Sequence, residues 1–213
     1  WSPPTHGLPV ERPDRVEVQV VEAGPVRGRV KIRRYYLWPV QVIDGYRVDE
    51  VEVEVETTVE VRAGEDLVRV EVTFTNPSKD HRLRVHLPLL RRAGTSVAEC
   101  AFGTVERGLV AEGGANEIGL PTFPSRRFVQ AGGLTVAHDG LCEYELVDLD
   151  ADGTTAGALA LTLLRSVGTI SRGPMAMRAL PAGPPTRTPA AQLVGHLHRT
   201  AFVLHVGDRD PYA

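Results

Sequence analysis

The chain has 213 residues, 42% of them hydrophobic, enough to bury a substantial core in one large domain. Its 24 Lys and Arg against 27 Asp and Glu leave a formal charge of −3, which offers no electrostatic footprint for nucleic acid or for an anionic membrane surface. No apolar run approaches the ~18 residues that a membrane-spanning helix needs, no signal peptide is legible at the start, and Cys100 and Cys142 are too few for a disulfide framework. The two thiols read as unpaired in a reducing, cytoplasmic compartment, with a bridge between them left open.

Residues 1–14 read as an irregular lead-in, with four prolines, no periodicity and the look of a cut end, before the strands of residues 15–213. Val16, Val18 and Val20 alternate with Glu17 and Gln19, the period of a strand with one apolar face. Gly24-Pro25 marks a turn, residues 26–37 a second strand that Trp38-Pro39 should end, and Asp44-Gly45 a hairpin turn. Val51, Val53, Val55, Val59 and Val61 then share one parity, with Glu52, Glu54, Glu56 and Glu60 on the other. That glutamate row is expected to be a solvated face that discourages edge aggregation, because carboxylates on an open face lack the partners a metal or catalytic site requires.

Alternation returns in Val70, Val72 and Phe74, breaks at Asn76-Pro77-Ser78-Lys79, and resumes in Leu83, Val85 and Leu87 against Arg82, Arg84 and His86. These two strands are expected to pair as a hairpin with Asp80, His81, Arg82 and Arg84 at its mouth. On composition alone that mouth is a salt-bridged, solvated end. Residues 98–110 and 126–136 read as further short strands, with the glycine-rich, proline-closed residues 111–124 as a loop between them. Residues 143–149 and 156–164 form a hairpin around Asp150-Ala151-Asp152-Gly153. A long connection with five prolines over residues 172–189 leads to a last strand at 196–206. About a dozen strands, without helical periodicity or internal repeat, predict two packed antiparallel sheets.

Local constellations favour structural readings. Asp148-Leu149-Asp150-Ala151-Asp152-Gly153 has the opening of a calcium loop, but Leu159 stands where the bidentate acid is needed and strands flank it. His196 and His198 share a strand face without an obvious third ligand. Arg91-Arg92 and Arg126-Arg127 are isolated basic doublets. No Gly-x-Ser-x-Gly, glycine-rich phosphate loop or Cys-x-x-Cys is present, so no nucleophile is built.

The wording of several segments carries more. Residues 75–89 (TNPSKDHRLRVHLPL), Pro121-Thr122-Phe123-Pro124 with Arg127-Phe128-Val129, His138-Asp139-Gly140-Leu141 with Glu143-Tyr144-Glu145, residues 159–168 (LALTLLRSVG) and a Gln192 to Gly195 step occur in that order. Together they resemble the C-terminal β domain of glycoside hydrolase family 38, the α-mannosidases, including the bacterial mannosylglycerate-hydrolase type, over roughly residues 16–206. The resemblance implies an all-β fold, a large antiparallel multi-stranded β-sandwich of the supersandwich type, over residues 15–213. It also implies a parent enzyme that hydrolyses α-mannosides with retention, using two carboxyl groups and a zinc ion. By resemblance the carboxyl groups and the zinc ligands belong upstream of this chain, which begins about where the family's acidic loop ends. No catalytic residue, metal site or cofactor is then expected within it.

Its expected partners are the upstream catalytic domain of the same polypeptide and an α-mannoside. Asp80, His81, Arg82, Arg84, Arg126, Arg127, His138, Asp139 and Arg165 are the candidates to face that domain or the substrate cleft, the arginines because a guanidinium fork clamps carboxylates. A stand-alone carbohydrate-binding sandwich is the alternative, weakened by 6% aromatic content and by Trp1 and Trp38 as its only tryptophans. A sandwich used only for protein–protein contact is a third reading.

Overall fold

The computed structural model describes residues 10–140, 142–171, 173–175, 177–181 and 183–207, so Trp1 and most of the expected lead-in, with Leu141 and Arg172, lie outside it. Among the described residues the regular structure is fifteen strands and a single 3-10 turn, Pro189–Gln192. No helix is long and apolar enough to cross a membrane.

Nine strands make one antiparallel sheet. In spatial order they are β1 (Arg15–Ala23), β2 (Arg27–Ile43), β3 (Tyr46–Arg62), β4 (Leu67–Thr75), β15 (Leu197–Val206), β10 (Leu134–His138), β9 (Phe128–Ala131), β6 (Thr95–Cys100) and β7 (Gly103–Gly108). Four more form a second antiparallel sheet, β5 (Arg82–Ala93), β12 (Ala156–Arg165), β11 (Cys142–Leu149) and β8 (Thr122–Ser125). A small ribbon pairs β13 (Thr169–Ser171) with β14 (Thr186–Arg187).

The period-2 pattern explains the core. Val70, Val72 and Phe74 of β4, Phe202 of β15, Val136 of β10 and Val129 of β9 turn to one side of the large sheet and are buried. Tyr144, Leu146, Leu159, Leu161 and Leu164 meet them from the small sheet. This is an all-β sandwich, each strand contributing alternate residues to one apolar layer.

Several expectations hold in detail. Asp44 and Gly45 both take positive φ, 50° and 83°, which the two-residue hairpin between β2 and β3 requires. The β11–β12 hairpin turns at Asp150, whose carboxylate accepts from the Thr154 and Thr155 main-chain N–H groups at 2.8 and 3.2 Å and from both hydroxyls at 3.1 and 2.6 Å. Those donors, the Thr155 hydroxyl first, hold the Asp150 carboxyl well below the usual carboxylate range.

Other expectations need correction. β4 and β5 do not pair as a hairpin. β4 lies between β3 and β15, whereas β5 crosses to the other sheet and pairs with β12, placing Leu83, Val85 and Leu87 opposite Leu164, Leu161 and Leu159. Asn76 pins the crossing. Fully buried, it accepts from the Ser78 N–H at 3.0 Å and donates to the Ser78 and Gln192 carbonyls, each at 3.0 Å. β2 runs through Trp38-Pro39 to Ile43, because β1 reaches only as far as Tyr35 and the missing proline N–H lies beyond it. Residues 98–110 divide into the β6–β7 hairpin, and the expected loop ends in β8, which tolerates Pro124 because it is an edge strand.

Candidate functional site

The outer face of the small sheet gathers three of the expected residues. On β5, Arg82 and Arg84 share the parity that points away from the core. On β11, Glu143 and Glu145 do the same, and β12 between them presents Ala160 and Thr162. Small residues on the middle strand let the arginines reach across it. Arg82 meets Glu143 at 2.9 Å and Glu145 at 3.5 Å, Arg84 meets Glu145 at 2.7 Å, and Arg165 meets Glu143 at 2.9 Å. The hydroxyls of Thr162 and Thr122 donate to Glu143 and Glu145 at 3.1 and 3.4 Å.

Burial by itself would raise the Glu143 carboxyl, but the Arg82 hydrogen bond and the Arg165 and Arg82 charges outweigh it and hold the group below its ordinary value. Burial, then the neighbouring Arg82 charge, pushes the Arg84 guanidinium down. The arrangement is an ion-pair network in which both carboxylates are clamped by cations. Neither is offered as a proton donor to a leaving group, as glycoside hydrolysis requires.

A second group forms where β8, β9 and β10 meet. Arg127 grips the buried Glu99 through a two-point contact, with Nε at 2.8 and 2.9 Å from the two carboxylate oxygens. That hydrogen bond is the main reason Glu99 lies below the usual carboxylate range. Arg126 donates its main-chain N–H to the Glu99 carbonyl at 3.1 Å. His138 is held between Ser125 Oγ, 2.9 Å from Nε2, and the Gly140 carbonyl, 3.1 Å from Nδ1. A carbonyl only accepts, so Nδ1 carries the proton. The pair has the outline of a serine–histidine dyad, but Ser125 is fully buried and its single hydroxyl proton is shared with the Phe128 carbonyl, 2.6 Å away. It is a structural clasp.

Asp80 and His81 lie on the crossing between the sheets. Asp80 Oδ1 accepts from the Gly168 N–H at 2.8 Å, and the His81 main chain exchanges hydrogen bonds with Ser166. The His81 ring packs edge-on against Trp38 with centroids 5.5 Å apart, and burial, then the nearby His198, pushes its pKa down to about 4. His198 stacks on Phe74 at 5.2 Å. Among the described residues no group of three His, Cys, Asp or Glu could hold a metal ion, and Cys100 and Cys142 are half-buried and unbridged.

Two hollows connect these groups. A charged groove of about 780 Å³ on the outer face of the large sheet includes Arg29, Arg69, Arg127, Asp139 and Arg199. A second, about 590 Å³, includes Asp139, Glu143, Arg165 and Arg199. Asp139 therefore borders both, between the Arg127 and Arg165 clusters. The residues that sequence reasoning missed are the acidic partners, Glu99, Glu143 and Glu145. Arg82 and Arg84 on one strand and Glu143 and Glu145 on another, each two apart, were a legible signal of complementary faces.

The chain is 30% identical over 172 residues to a protein named "Putative mannosylglycerate hydrolase" from Halalkalibacterium halodurans, a match covering 77% of this chain and 17% of that protein. Its fold superposes on a glycosyl hydrolase family 38 protein from Enterococcus faecalis with a TM-score of 0.67, and on an alpha-mannosidase from Enterococcus faecalis V583 with a TM-score of 0.68. Each of these is 25% identical, and the match covers 89% and 90% of this chain but 22% of theirs. No protein-family model matches. Sequence and fold thus point to the glycoside hydrolases as a class. Within that class, the chain is similar across most of its length to a mannosylglycerate hydrolase and to family 38 and α-mannosidase structures, while spanning about a fifth of each.

Proposed function

We propose that this chain is the C-terminal β domain of a cytoplasmic, retaining, zinc-dependent α-mannosidase, and that it supports the catalytic domain and borders its substrate cleft. The observation that carries the reading is the coincidence of two matches. The sequence similarity to the mannosylglycerate hydrolase and the fold similarity to the α-mannosidase each take in most of this chain and only about a fifth of a longer protein. In this reading the metal and the two catalytic carboxyl groups belong to another part of the polypeptide. Asp139 and Arg165, exposed at the hollows, and Arg126, exposed between β8 and β9, are the residues best placed to meet that part or a charged sugar substituent. Arg82 and Arg84 act as positioning residues through Glu143 and Glu145.

The test compares the 213-residue chain with the full polypeptide on p-nitrophenyl α-mannoside, with zinc content measured after dialysis. The full polypeptide is expected to turn over the substrate and retain zinc, and the chain alone to do neither. Turnover by the repurified chain would overturn the division of labour, and an inactive, zinc-free full polypeptide would overturn the assignment.

A further inference from the structure

The large sheet is wider than the small one, and the surplus lies on one side. The β8 edge of the small sheet contacts β6 of the large one, and its other edge, β5, follows directly from the crossing after β4. The core-side face of β1, β2 and the end of β3 therefore projects beyond β5 as a step. Its side chains are apolar: Val16, Val18 and Val20 are 50%, 66% and 64% exposed, and Val61 is 48% exposed. On β5, Leu83, Val85 and Leu87 are only half-buried, although their partners Leu164, Leu161 and Leu159 across the ladder are buried. Among the described residues neither wall of the step is fully covered.

One charge stands in this apolar step. Arg34 shares the parity of Ile32 on β2, is half-buried, and donates to Thr57 Oγ1 at 3.1 Å, with no carboxylate partner among the described residues. The opposite face of the same strands pairs its cations, Arg29 with Glu60, Lys31 with Glu56 and Arg33 with Glu54 and Glu56. A second copy of the chain seated face to face would bring Arg34 against valines and another Arg34, since its neighbours on this face, Val16, Val18, Ile32, Tyr36 and Val55, are uncharged. About four-fifths of the length of the related proteins lies outside the matched region.

We propose that this step is the seat of another segment of the same polypeptide, one that presents apolar side chains and a carboxylate to Arg34. The inference rests on the reading of the chain as one domain of a larger enzyme, and it adds the apolar step to the charged residues at the hollows as a contact surface. Burial of contiguous apolar surface drives such docking, and the paired charge fixes its register.

The test is cysteine labelling read peptide by peptide in a mass spectrometer, with Val18→Cys on the step and Gln19→Cys on the opposite face. In the full polypeptide, V18C is expected to react with a maleimide at least tenfold more slowly than in the 213-residue chain, while Q19C changes less than twofold. Arg34→Glu in the full polypeptide is expected to restore V18C reactivity, and Arg34→Lys to leave it protected. Equal V18C rates in the two proteins would overturn the proposal. So would protection in the isolated chain, whether independent of its concentration, which would assign the cover to the chain's own ends, or rising with concentration, which would assign it to a second copy. An R34E variant that stays protected would overturn the carboxylate. Protection of V18C in a full polypeptide that does not cleave an α-mannoside would remove the enzyme assignment and leave the seat standing.

Discussion

Two regions of the large sheet carry the same pattern and meet different fates. Val70, Val72 and Phe74 on β4 are buried, whereas Val16, Val18 and Val20 on β1, with the same alternation, are among the most exposed large apolar side chains of the chain. The difference lies in what faces them, since the small sheet covers β4 and stops short of β1. Periodicity states which residues share a face, and burial depends on a second layer that periodicity cannot report.

The sharpest way to test that comparison is truncation on each side. Leu161→Ala, opposite the covered half, should destabilise the isolated chain by about 2–5 kcal/mol, because a buried leucine leaves both lost contacts and a cavity. Val18→Ala should cost less than about 0.5 kcal/mol in the same urea titration. Similar losses at both positions would mean that the step is already covered within the chain.

The two ion-pair systems offer a second contrast at smaller scale. Arg82 is 15% exposed between Glu143 and Glu145, whereas Arg33 is 35% exposed on the outer ladder of β2 and β3. Removing the buried cation strands two partly desolvated carboxylates, so Arg82→Ala should cost about 2 kcal/mol, between the values for exposed and fully buried pairs. Arg33→Ala should cost about 0–1 kcal/mol. An Arg82→Ala/Glu143→Ala cycle that shows no coupling would reduce the network to surface decoration.

A third contrast concerns pH. Burial lowers the His81 pKa to about 4, against ~6.5 in the unfolded chain, so the unfolded state takes up this proton first. The stability linked to His81 is therefore complete above pH ~6.5 and is lost as the pH falls towards 4. His198 and His138, also lowered by burial, act in the same direction. His81→Gln should flatten the fall in denaturation midpoint between pH 7 and 5. An unchanged slope would mean that His81 is not buried against Trp38 in solution.

The crossing at Asn76 separates what each level of description contains. Val70, Val72 and Phe74, the break at Asn76-Pro77, and the resumption at Leu83 were all legible, yet β5 leaves β4 for the other sheet. Turn chemistry marks where a strand stops. Whether the next strand folds back or crosses is decided by the partners waiting for it, here β15 beside β4 and β12 beside β5. The same holds for the candidate site. Arg82, Arg84, Arg127 and Arg165 could be picked out as fixed forks in need of acids. Glu143, Glu145 and Glu99 lie from 22 to 63 positions away in the chain and become their partners only through strand register.

The sequence by itself determined the all-β class, the two hairpin turns at Asp44-Gly45 and Asp150, the parity of nearly every strand and the resemblance to family 38, because these depend on local backbone preference and on the order of residues. Only the tertiary structure decided which valines are covered, which sheet receives β5 and which acid each arginine holds. Those outcomes depend on contacts between residues far apart in the chain, and no local pattern encodes them.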